Sequence, residues 1–374
     1  MTDYRYVDAG PALAQLLAGW GAESLVAVDT EAASFHRYVD RVYLVQLSTR
    51  RETAIIDPLA VDLAPLGVLL ADPAVEKIFH DADYDLRTLD RDYGFRARAL
   101  WDTRIAAQLT AEPAIGLSAL LEKHLGVRLP KDYQKADWSL RPLSPEMLAY
   151  AADDTRHLPA LRDALRDRLT TLGRLAWAEE EFQRLEDLRW SGPGPDGAEA
   201  YLRIKGAKAL QPRQLAALRA LWVWRESVAV AQDKATFRIV GNDALLGLAR
   251  ALPADAAGLA QVRELPPVLA RRHGAPLLGA VAEAIALPES ELPRLARAPR
   301  LAKDPDWDAR MERLKAARNR VAQELALDPG VLCGKSILEA VARARPSDRA
   351  GLERIPELRR WQVTVLGDVL LTAI

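Results

Sequence analysis

Residues 24–31 carry the sequence SLVAVDTE, in which four consecutive apolar residues are followed by two closely spaced acids. The short apolar run 25–28 predicts a buried strand. Asp29 and Glu31 follow it at a spacing of two, so both side chains leave the same face where the strand ends. We therefore expect two carboxylates to converge at one end of a buried strand.

Strand-like and helix-like patterns alternate from this segment to about residue 170. Further strands are predicted at 42–47 and 53–56, and their short connections favour an antiparallel meander with the first strand. Two more strands, at 74–79 and 99–101, each precede a helix, the first of which covers about 82–93. The pattern predicts an α/β fold, a mixed sheet with flanking helices.

Two further acids occupy positions where helices normally carry apolar residues. Asp85 falls on the apolar stripe of the predicted helix 82–93. A second helix begins at Ser144, a good N-cap followed by proline, and its periodic pattern continues to about residue 169. Asp154 completes the apolar stripe of that helix. Both carboxylates are therefore predicted to face inward.

Buried carboxylates are costly unless a partner compensates their charge, and several together repel one another. Oxygen-only ligands suit Mg²⁺ or Mn²⁺. Two such ions roughly 3.5–4 Å apart can activate a water and stabilise the leaving oxygen in phosphodiester hydrolysis. We predict two divalent metal ions, with Asp29, Glu31, Asp85 and Asp154 as candidate ligands. Taken singly, each acid is also consistent with a helix cap or a surface charge.

Three other residues refine this prediction. Tyr150 lies four residues before Asp154 on the same helical face, so its hydroxyl is a candidate to orient the attacking water. Asp102 precedes a helix start at Thr103 and is expected to be a helix cap rather than a fifth ligand. The single cysteine, Cys333, excludes an internal disulfide and a thiolate metal cluster.

Charged and aromatic residues alternate just before the helix that carries Tyr150, and Tyr133 is among them. Such a pattern is typical of a surface that binds a nucleic-acid strand by stacking and phosphate contacts. The alternative for its aromatic residues is a loop anchored in the core. The histidine that opens the Asp85 helix is consistent with a phosphate contact and with a structural role. The candidate nucleic-acid contacts are His80, Lys131, Lys135, Trp138 and Arg141.

Beyond residue 200 the pattern is wholly helical and contains an internal repeat. A shift of 93 positions aligns residues 225–280 with 318–373 without a gap. The second copy has Ala317 where the first has Trp224, which leaves open whether both copies bind nucleic acid. A segment rich in glycine and proline at 191–197 marks a boundary. The predicted domains are 1–190, 206–285 and 303–374.

The composition is that of a folded globular protein, with 374 residues of which 49% are hydrophobic and 28% charged. It excludes collagenous and low-complexity classes. The net charge of −1 conceals a net −10 over residues 1–200 and a net +9 over 201–374. A basic half is a candidate nucleic-acid surface. The sequence shows neither a basic leader with an apolar run nor a membrane-length apolar segment, so we expect a cytoplasmic protein without a membrane partner.

Three of these motifs together resemble a known family. Asp29-Thr30-Glu31, the segment from His80 to Asp85, and Tyr150 with Asp154 resemble the three exonuclease motifs of the DEDD superfamily in its tyrosine-containing branch. The whole chain resembles the bacterial ribonuclease D family, and the repeated module resembles the HRDC domain, here in tandem.

The resemblance implies a ribonuclease H-like 3′→5′ exonuclease domain followed by two small all-α HRDC domains. It also implies metal-dependent 3′→5′ exoribonuclease activity that releases nucleoside 5′-monophosphates, with tRNA precursors or other structured RNA 3′ ends as substrates and partners. Asp29, Glu31, Asp85 and Asp154 become metal ligands and Tyr150 positions the attacking water. Two alternatives stay open at this point: a DNA 3′→5′ exonuclease, and a non-catalytic nucleic-acid-binding protein with a degenerate nuclease fold.

Overall fold

A computed structural model describes residues 3–130, 132–192, 197–295 and 304–374. The first half of the chain alternates strands and helices. Its elements are β1 Arg5–Val7, α1 Gly10–Gly19, β2 Leu25–Ala32, β3 Val42–Ser48, β4 Thr53–Ile56, α2 Ala64–Ala71, β5 Glu76–Phe79, α3 Asp83–Tyr93, β6 Leu100–Asp102, α4 Thr103–Leu109, α5 Leu117–Leu125, α6 Pro145–Arg156, α7 Leu158–Thr171 and α8 Leu175–Leu185.

The strands form one mixed sheet in the order β1-β4-β3-β2-β5-β6. Strands β2, β3 and β4 pair antiparallel, which confirms the predicted meander. Strand β5 is parallel to β2, β6 is parallel to β5, and β1 is parallel to β4. Helix α6 packs on β2, β3 and β4, and α7 packs on β2 and β5. The mixed sheet with flanking helices is confirmed. The sequence patterns did not indicate β1, α1 or α2.

Strand β2 is longer than predicted, since it continues through Asp29 and Glu31 to Ala32. Its neighbours explain why. Pairing with β5 ends at Ala27, whereas pairing with β3 continues to Ala32, with a register shift after Glu31. The two acids therefore lie on the part of β2 that pairs with β3 but no longer with β5. The edge beyond the end of β5 leaves room for side chains beside them.

The single helix predicted from Ser144 to about residue 169 is wrong, because the chain forms two helices, α6 and α7, that meet at His157. Pro159 supplies the reason. It stands at the second position of α7, where a proline is tolerated, but inside a continuous helix it would remove a backbone hydrogen bond and clash with the preceding turn. Helix α8 follows α7 after residues 172–174.

The second half of the chain is helical. Its elements are α9 Pro212–Gln232, α10 Thr236–Ile239, α11 Asn242–Ala251, α12 Ala256–Ala260, α13 Pro267–Ala286, α14 Trp307–Glu324, α15 Pro329–Leu332, α16 Lys335–Ala344, α17 Arg349–Glu353 and α18 Arg360–Ala373, with short 3₁₀ turns at Gly197–Arg203, Ala207–Ala209 and Glu289–Glu291. The predicted boundary at 191–197 and the chain between the predicted domains 206–285 and 303–374 lie partly outside the described residues.

The structure reproduces the sequence repeat element by element. Helices α15, α16 and α17 have the bounds of α10, α11 and α12 displaced by 93 residues, and α18 starts 93 residues after α13. The caps repeat as well. Asp255 accepts a hydrogen bond from the backbone N–H of Gly258, and Asp348 does the same from Gly351. We call α9–α13 the first helical module and α14–α18 the second.

The second module shares its core with the exonuclease half. Its apolar residues form one continuous cluster with those of α4, α7 and α8. The indole rings of Trp177 on α8 and Trp361 on α18 stack at 4.9 Å. The first module keeps a separate core. Within the described ranges, every helix is too short or too polar to span a lipid bilayer.

Candidate active site

Three of the predicted acids meet where β2 faces α6. One carboxylate oxygen from each of Asp29, Glu31 and Asp154 lies within 4.8 Å of the other two. Asp29 and Glu31 share a face of β2 because strand side chains alternate, and Asp154 reaches them because α6 packs on that strand. Three oxygens at this separation form a pocket the size of a cation.

Asp85 enters the same region from α3. Its side chain is 6% exposed and lies beside the buried Leu86 and Leu89, as its place on the apolar stripe predicts. The hydroxyl of Thr30 donates a 2.5 Å hydrogen bond to Asp85 Oδ1, which ties α3 to β2 between Asp29 and Glu31. Thr30 therefore positions Asp85, a role that the sequence patterns did not indicate.

Burial raises the pKa of all four carboxyl groups. For Asp29 the charge of Asp154 adds to this rise in pKa, and for Glu31 and Asp85 the charge of Asp29 does so. The pKa of Asp154 is raised by burial and, to a lesser extent, by Asp153. Each group is held where its charged form is costly. A cation among the oxygens would reverse that cost.

The donor set fits a hard divalent cation. All four groups offer carboxylate oxygens, and no lysine, arginine or histidine in the described part of the chain forms an ion pair with them. Gln46 adds a second indication. It lies opposite Asp29 on β3, is fully buried, and neither of its amide atoms has a hydrogen-bond partner among the described residues. Buried polar groups are normally satisfied, so the region is built to hold something polar beyond the protein's own atoms.

Tyr150 lies beside the acids on α6. Its side chain is 8% exposed, and its ring packs edge-on against Tyr133 at 5.8 Å and near Trp138 at 6.3 Å. Burial raises the pKa of the phenol, and the negative charges of Asp154, Glu31 and Asp29 raise it further. The hydroxyl therefore stays protonated at neutral pH and can donate a hydrogen bond toward the acids.

Comparisons with known proteins identify the family. A family model described as 3′-5′ exonuclease matches residues 4–170, and the HRDC domain model matches 214–281 and 308–374. Ribonuclease D of Acidiphilium cryptum is 34% identical over 97% of this chain and 91% of its own length. The chain belongs to the ribonuclease D family. Ribonuclease D of Pseudomonas paraeruginosa is 33% identical over 100% of this chain and 98% of its own.

Solved structures agree with this membership. The crystal structure of Escherichia coli RNase D, described as an exoribonuclease involved in structured RNA processing, has 27% identity and a TM-score of 0.72 over 99% of this chain and 98% of its own. The fold, an exonuclease domain followed by helical HRDC domains, is thereby confirmed. The chain is a 3′→5′ exoribonuclease, and the DNA-exonuclease and non-catalytic alternatives are not favoured. The DEDD exonuclease family is metal-dependent, in keeping with the acidic cluster.

Two of the predicted RNA contacts need correction. Trp138 is 1% exposed and packs in the core near Tyr150, so its ring offers no stacking surface. Arg141 forms a two-pronged ion pair with Asp57, at 2.5 and 2.9 Å, and donates to the backbone carbonyl of Tyr43. These contacts occupy its guanidinium and hold the loop against the sheet. A sequence pattern cannot separate such an internal arginine from one that contacts phosphate.

The remaining candidates fall into different environments. His80 shares a 2.9 Å hydrogen bond with the Thr103 hydroxyl, and burial lowers its pKa to about 4, so it is neutral and structural here. Lys135 is exposed, with its ammonium 5.5 Å from the centre of the Phe35 ring. Lys131 lies outside the described residues. Asp102 accepts hydrogen bonds from the backbone of Arg104 and Ile105, which confirms it as a helix cap.

Proposed function

We propose that this exoribonuclease trims the 3′ ends of structured RNAs, tRNA precursors among them, and releases nucleoside 5′-monophosphates. The observation that carries the proposal is the approach of the Asp29, Glu31 and Asp154 oxygens to within 4.8 Å of one another beside Tyr150. The substrate class is supported by the related Escherichia coli enzyme, which is described as acting in structured RNA processing.

We assign the four acids as ligands of two divalent ions, Mg²⁺ or Mn²⁺. When bound, such ions activate a water and neutralise charge on the leaving oxygen. Asp29, Glu31 and Asp154 would hold one shared position, since their oxygens meet. Asp85, fixed by Thr30, would hold the other side of the cluster. The carboxyl groups, whose pKa values are raised by burial, would lose their protons on binding.

The proposed role of Tyr150 is to hold the attacking water. Its phenol stays protonated because burial and the neighbouring acids raise its pKa. The hydroxyl can therefore donate to an oxygen that lies between it and the acids, and the rings of Tyr133 and Trp138 keep it aimed there. A fixed orienting group lowers the entropy cost of bringing water into line with the phosphorus.

The proposed domains are an exonuclease domain at 1–190 and HRDC domains at 206–285 and 303–374. The net charge of +9 over residues 201–374 supports an RNA-holding role for the helical part through phosphate contacts. Such contacts would give an affinity that falls with salt concentration.

The test is to incubate the purified protein with 5′-labelled single-stranded RNA and with DNA of the same sequence, with and without Mg²⁺ or Mn²⁺. We expect a stepwise ladder of shortened RNA that depends on metal. Asp29→Asn is the matched control, because it keeps the side-chain shape and removes the charge, and it should abolish the ladder while RNA binding persists. Wild-type turnover by Asp29→Asn, or equal cleavage of DNA, would contradict the proposal.

A further inference from the structure

The loop between β2 and β3, residues 33–41, leaves the active-site strand and contacts the first helical module. At this contact two phenylalanines meet at the surface. Phe35 of the loop is 45% exposed and Phe237 of α10 is 53% exposed. Their ring centres are 6.1 Å apart in an edge-to-face arrangement. Two adjacent half-exposed aromatic rings are uncommon on a protein surface, because each leaves apolar area in contact with water.

Cationic groups surround the two rings. The Lys135 ammonium lies 5.5 Å from the centre of the Phe35 ring. Arg238, next to Phe237, donates to the backbone carbonyl of Phe35 and lies 3.2 Å from His36 Nδ1. Lys135 and Arg238 are exposed, and neither forms an ion pair with a carboxylate in the described ranges. Their charges are therefore available to an anionic ligand.

The two nearby carboxylates share one guanidinium. Asp137 lies 3.6 Å and Asp233 3.4 Å from the guanidinium of Arg37, and Asp137 also faces His36 at 3.7 Å. They add less repulsion toward an anion than free acids would. With them, Lys234 and Gln232 complete a cleft of about 360 Å³ between the loop and the first module.

The joint is held in place before any ligand arrives. The backbone N–H of Ala235 donates to the His36 carbonyl at 3.2 Å, and the backbone N–H of Tyr38 donates to Asp233 at 3.2 Å. The Tyr38 hydroxyl donates to Glu226 at 3.2 Å. These bonds fix the two rings relative to each other. Binding of a ligand that stacks on them would therefore lose little conformational entropy of the protein.

This surface is close to the acidic cluster. Phe35 is four residues from Glu31, so their Cα atoms are separated by at most about 14 Å of extended chain. A strand whose 3′ end lies among the acids would reach Phe35 within a few nucleotides.

The second module lacks the equivalent surface. At the offset of 93 residues, Gly330 replaces Phe237 and Val331 replaces Arg238. Gly330 and Val331 line a cleft of about 420 Å³ between the second module and the exonuclease half, beside the contact in which Trp361 stacks on Trp177 and Arg359 pairs with Glu181 at 3.0 Å. In the first module the counterpart of Trp361 is Val268, which is 61% exposed. The first module thus contacts the exonuclease half through α10, where Phe237 and Arg238 lie, whereas the second does so through α18, where Trp361 lies.

We propose that Phe35 and Phe237, with Lys135 and Arg238, form a binding site for single-stranded RNA immediately upstream of the nucleotide being removed. Bases stack on the two rings, and phosphates contact the two cations. Every base has an aromatic face, so the site reads no sequence, as suits an enzyme that advances one nucleotide at a time. The first module, and not the second, supplies this contact. The proposal rests on the proposed function.

The test measures binding and turnover for Phe35→Leu and Phe237→Leu, which keep apolar bulk but lose the ring, beside Phe35→Tyr and Phe237→Tyr, which keep it. With a 12-nucleotide single-stranded RNA, each leucine variant should raise Kd and KM about 5- to 150-fold, with kcat unchanged, because stacking is worth about 1–3 kcal/mol per base. The tyrosine variants should bind as the wild type does. Trp190→Ala, which removes a 42% exposed ring elsewhere, is the control for general loss of aromatic surface.

The salt dependence separates stacking from charge. Lys135→Gln and Arg238→Gln should each reduce the slope of log Kd against log salt by about one unit, whereas the leucine variants should leave the slope unchanged. Hydrolysis of the p-nitrophenyl ester of a nucleoside 5′-monophosphate, which has no upstream nucleotides, should be unaffected by all of these changes.

The outcomes distinguish this site from the proposed function. A wild-type protein that cleaves neither the ester nor RNA would refute the nuclease assignment itself. A wild-type protein that cleaves both, with leucine variants that bind the 12-nucleotide RNA as well as the tyrosine variants do, would overturn the RNA site and leave the two rings as an interdomain or protein contact.

Discussion

Individual residues show how the chain tolerates four acids in a confined space. Asp85 is 6% exposed, and among the described residues Thr30 is the one side chain that donates a hydrogen bond to it. Burial is the first cause of the raised pKa of each of the four carboxyl groups, ahead of repulsion from neighbouring carboxylates. The charged carboxylates therefore destabilise the metal-free fold, and a bound cation would offset this cost. Metal binding should thus raise the free energy of unfolding as well as supply chemistry.

This destabilisation depends on pH. A carboxyl whose folded pKa lies above its unfolded pKa stabilises the fold at low pH, and this contribution is lost as pH rises through the folded value. We expect the metal-free protein to have a higher Tm at about pH 5 than at about pH 8, and Mg²⁺ to raise Tm more at the higher pH. Thermal scans with EDTA and with Mg²⁺ measure both effects.

The control for this prediction is Asp85→Asn, which removes one titrating group and should shrink the difference between the two scans. An Mg²⁺-induced rise in Tm that is the same at both pH values would count against coupling between proton release and metal binding.

Tyr150 allows a graded test of the site. Tyr150→Phe removes one hydroxyl while the ring contacts to Tyr133 and Trp138 and the four acids remain. We expect kcat to fall about 10²- to 10⁴-fold, the range for an orienting group, with KM for RNA nearly unchanged. Single-turnover assays should show a slower reaction that stays metal-dependent. Activity equal to the wild type would remove Tyr150 from the mechanism.

At the scale of elements, one buried cap joins two helices to the sheet. Asp102, 1% exposed at the end of β6, accepts hydrogen bonds from Arg104 and Ile105 at the start of α4, and from the backbone N–H of Ala82 just before α3. Helix α3 carries Asp85, so the cap also sets the position of a candidate ligand.

Removal of this cap should therefore be costly. Asp102→Ala leaves three backbone N–H groups, one of them fully buried, without their side-chain acceptor, and we expect it to lower the free energy of unfolding by about 2–4 kcal/mol. Asp102→Asn keeps one acceptor oxygen and should cost less. Urea denaturation compares the two, and equal midpoints for alanine and wild type would show that the cap does not hold α3.

At the scale of the whole molecule, the second module is part of the structural core of the exonuclease half. Trp361 is 5% exposed, stacks on Trp177, and donates its indole N–H to Glu181 at 2.9 Å. Arg174 also donates to the backbone carbonyl of Leu325 at 2.7 Å. A truncation at residue 200 would expose this interface, so point substitutions separate RNA binding from folding more cleanly than deletion does.

The repeat offers a matched pair for testing this coupling. Trp361→Ala should lower the free energy of unfolding by about 3–5 kcal/mol, because it empties a packed site. Val268→Ala, at the equivalent position of the first module, is 61% exposed and should change it by less than about 0.5 kcal/mol. Urea denaturation followed by tryptophan fluorescence measures both. Similar midpoints for the two variants would show that the second module does not stabilise the exonuclease half.

Sequence patterns alone predicted the meander of β2, β3 and β4, the inward placement of Asp85, the cap at Asp102 and the helical repeat. These depend on local periodicity, and an offset of 93 residues is visible without coordinates. Contacts between distant segments set the rest: β2 continues through the two acids, Trp138 and Arg141 turn inward, and the second repeat docks through Trp361 while the first meets the β2–β3 loop with Phe237 half-exposed. Each of these depends on what lies opposite a residue in space, and residues far apart in sequence set that neighbourhood.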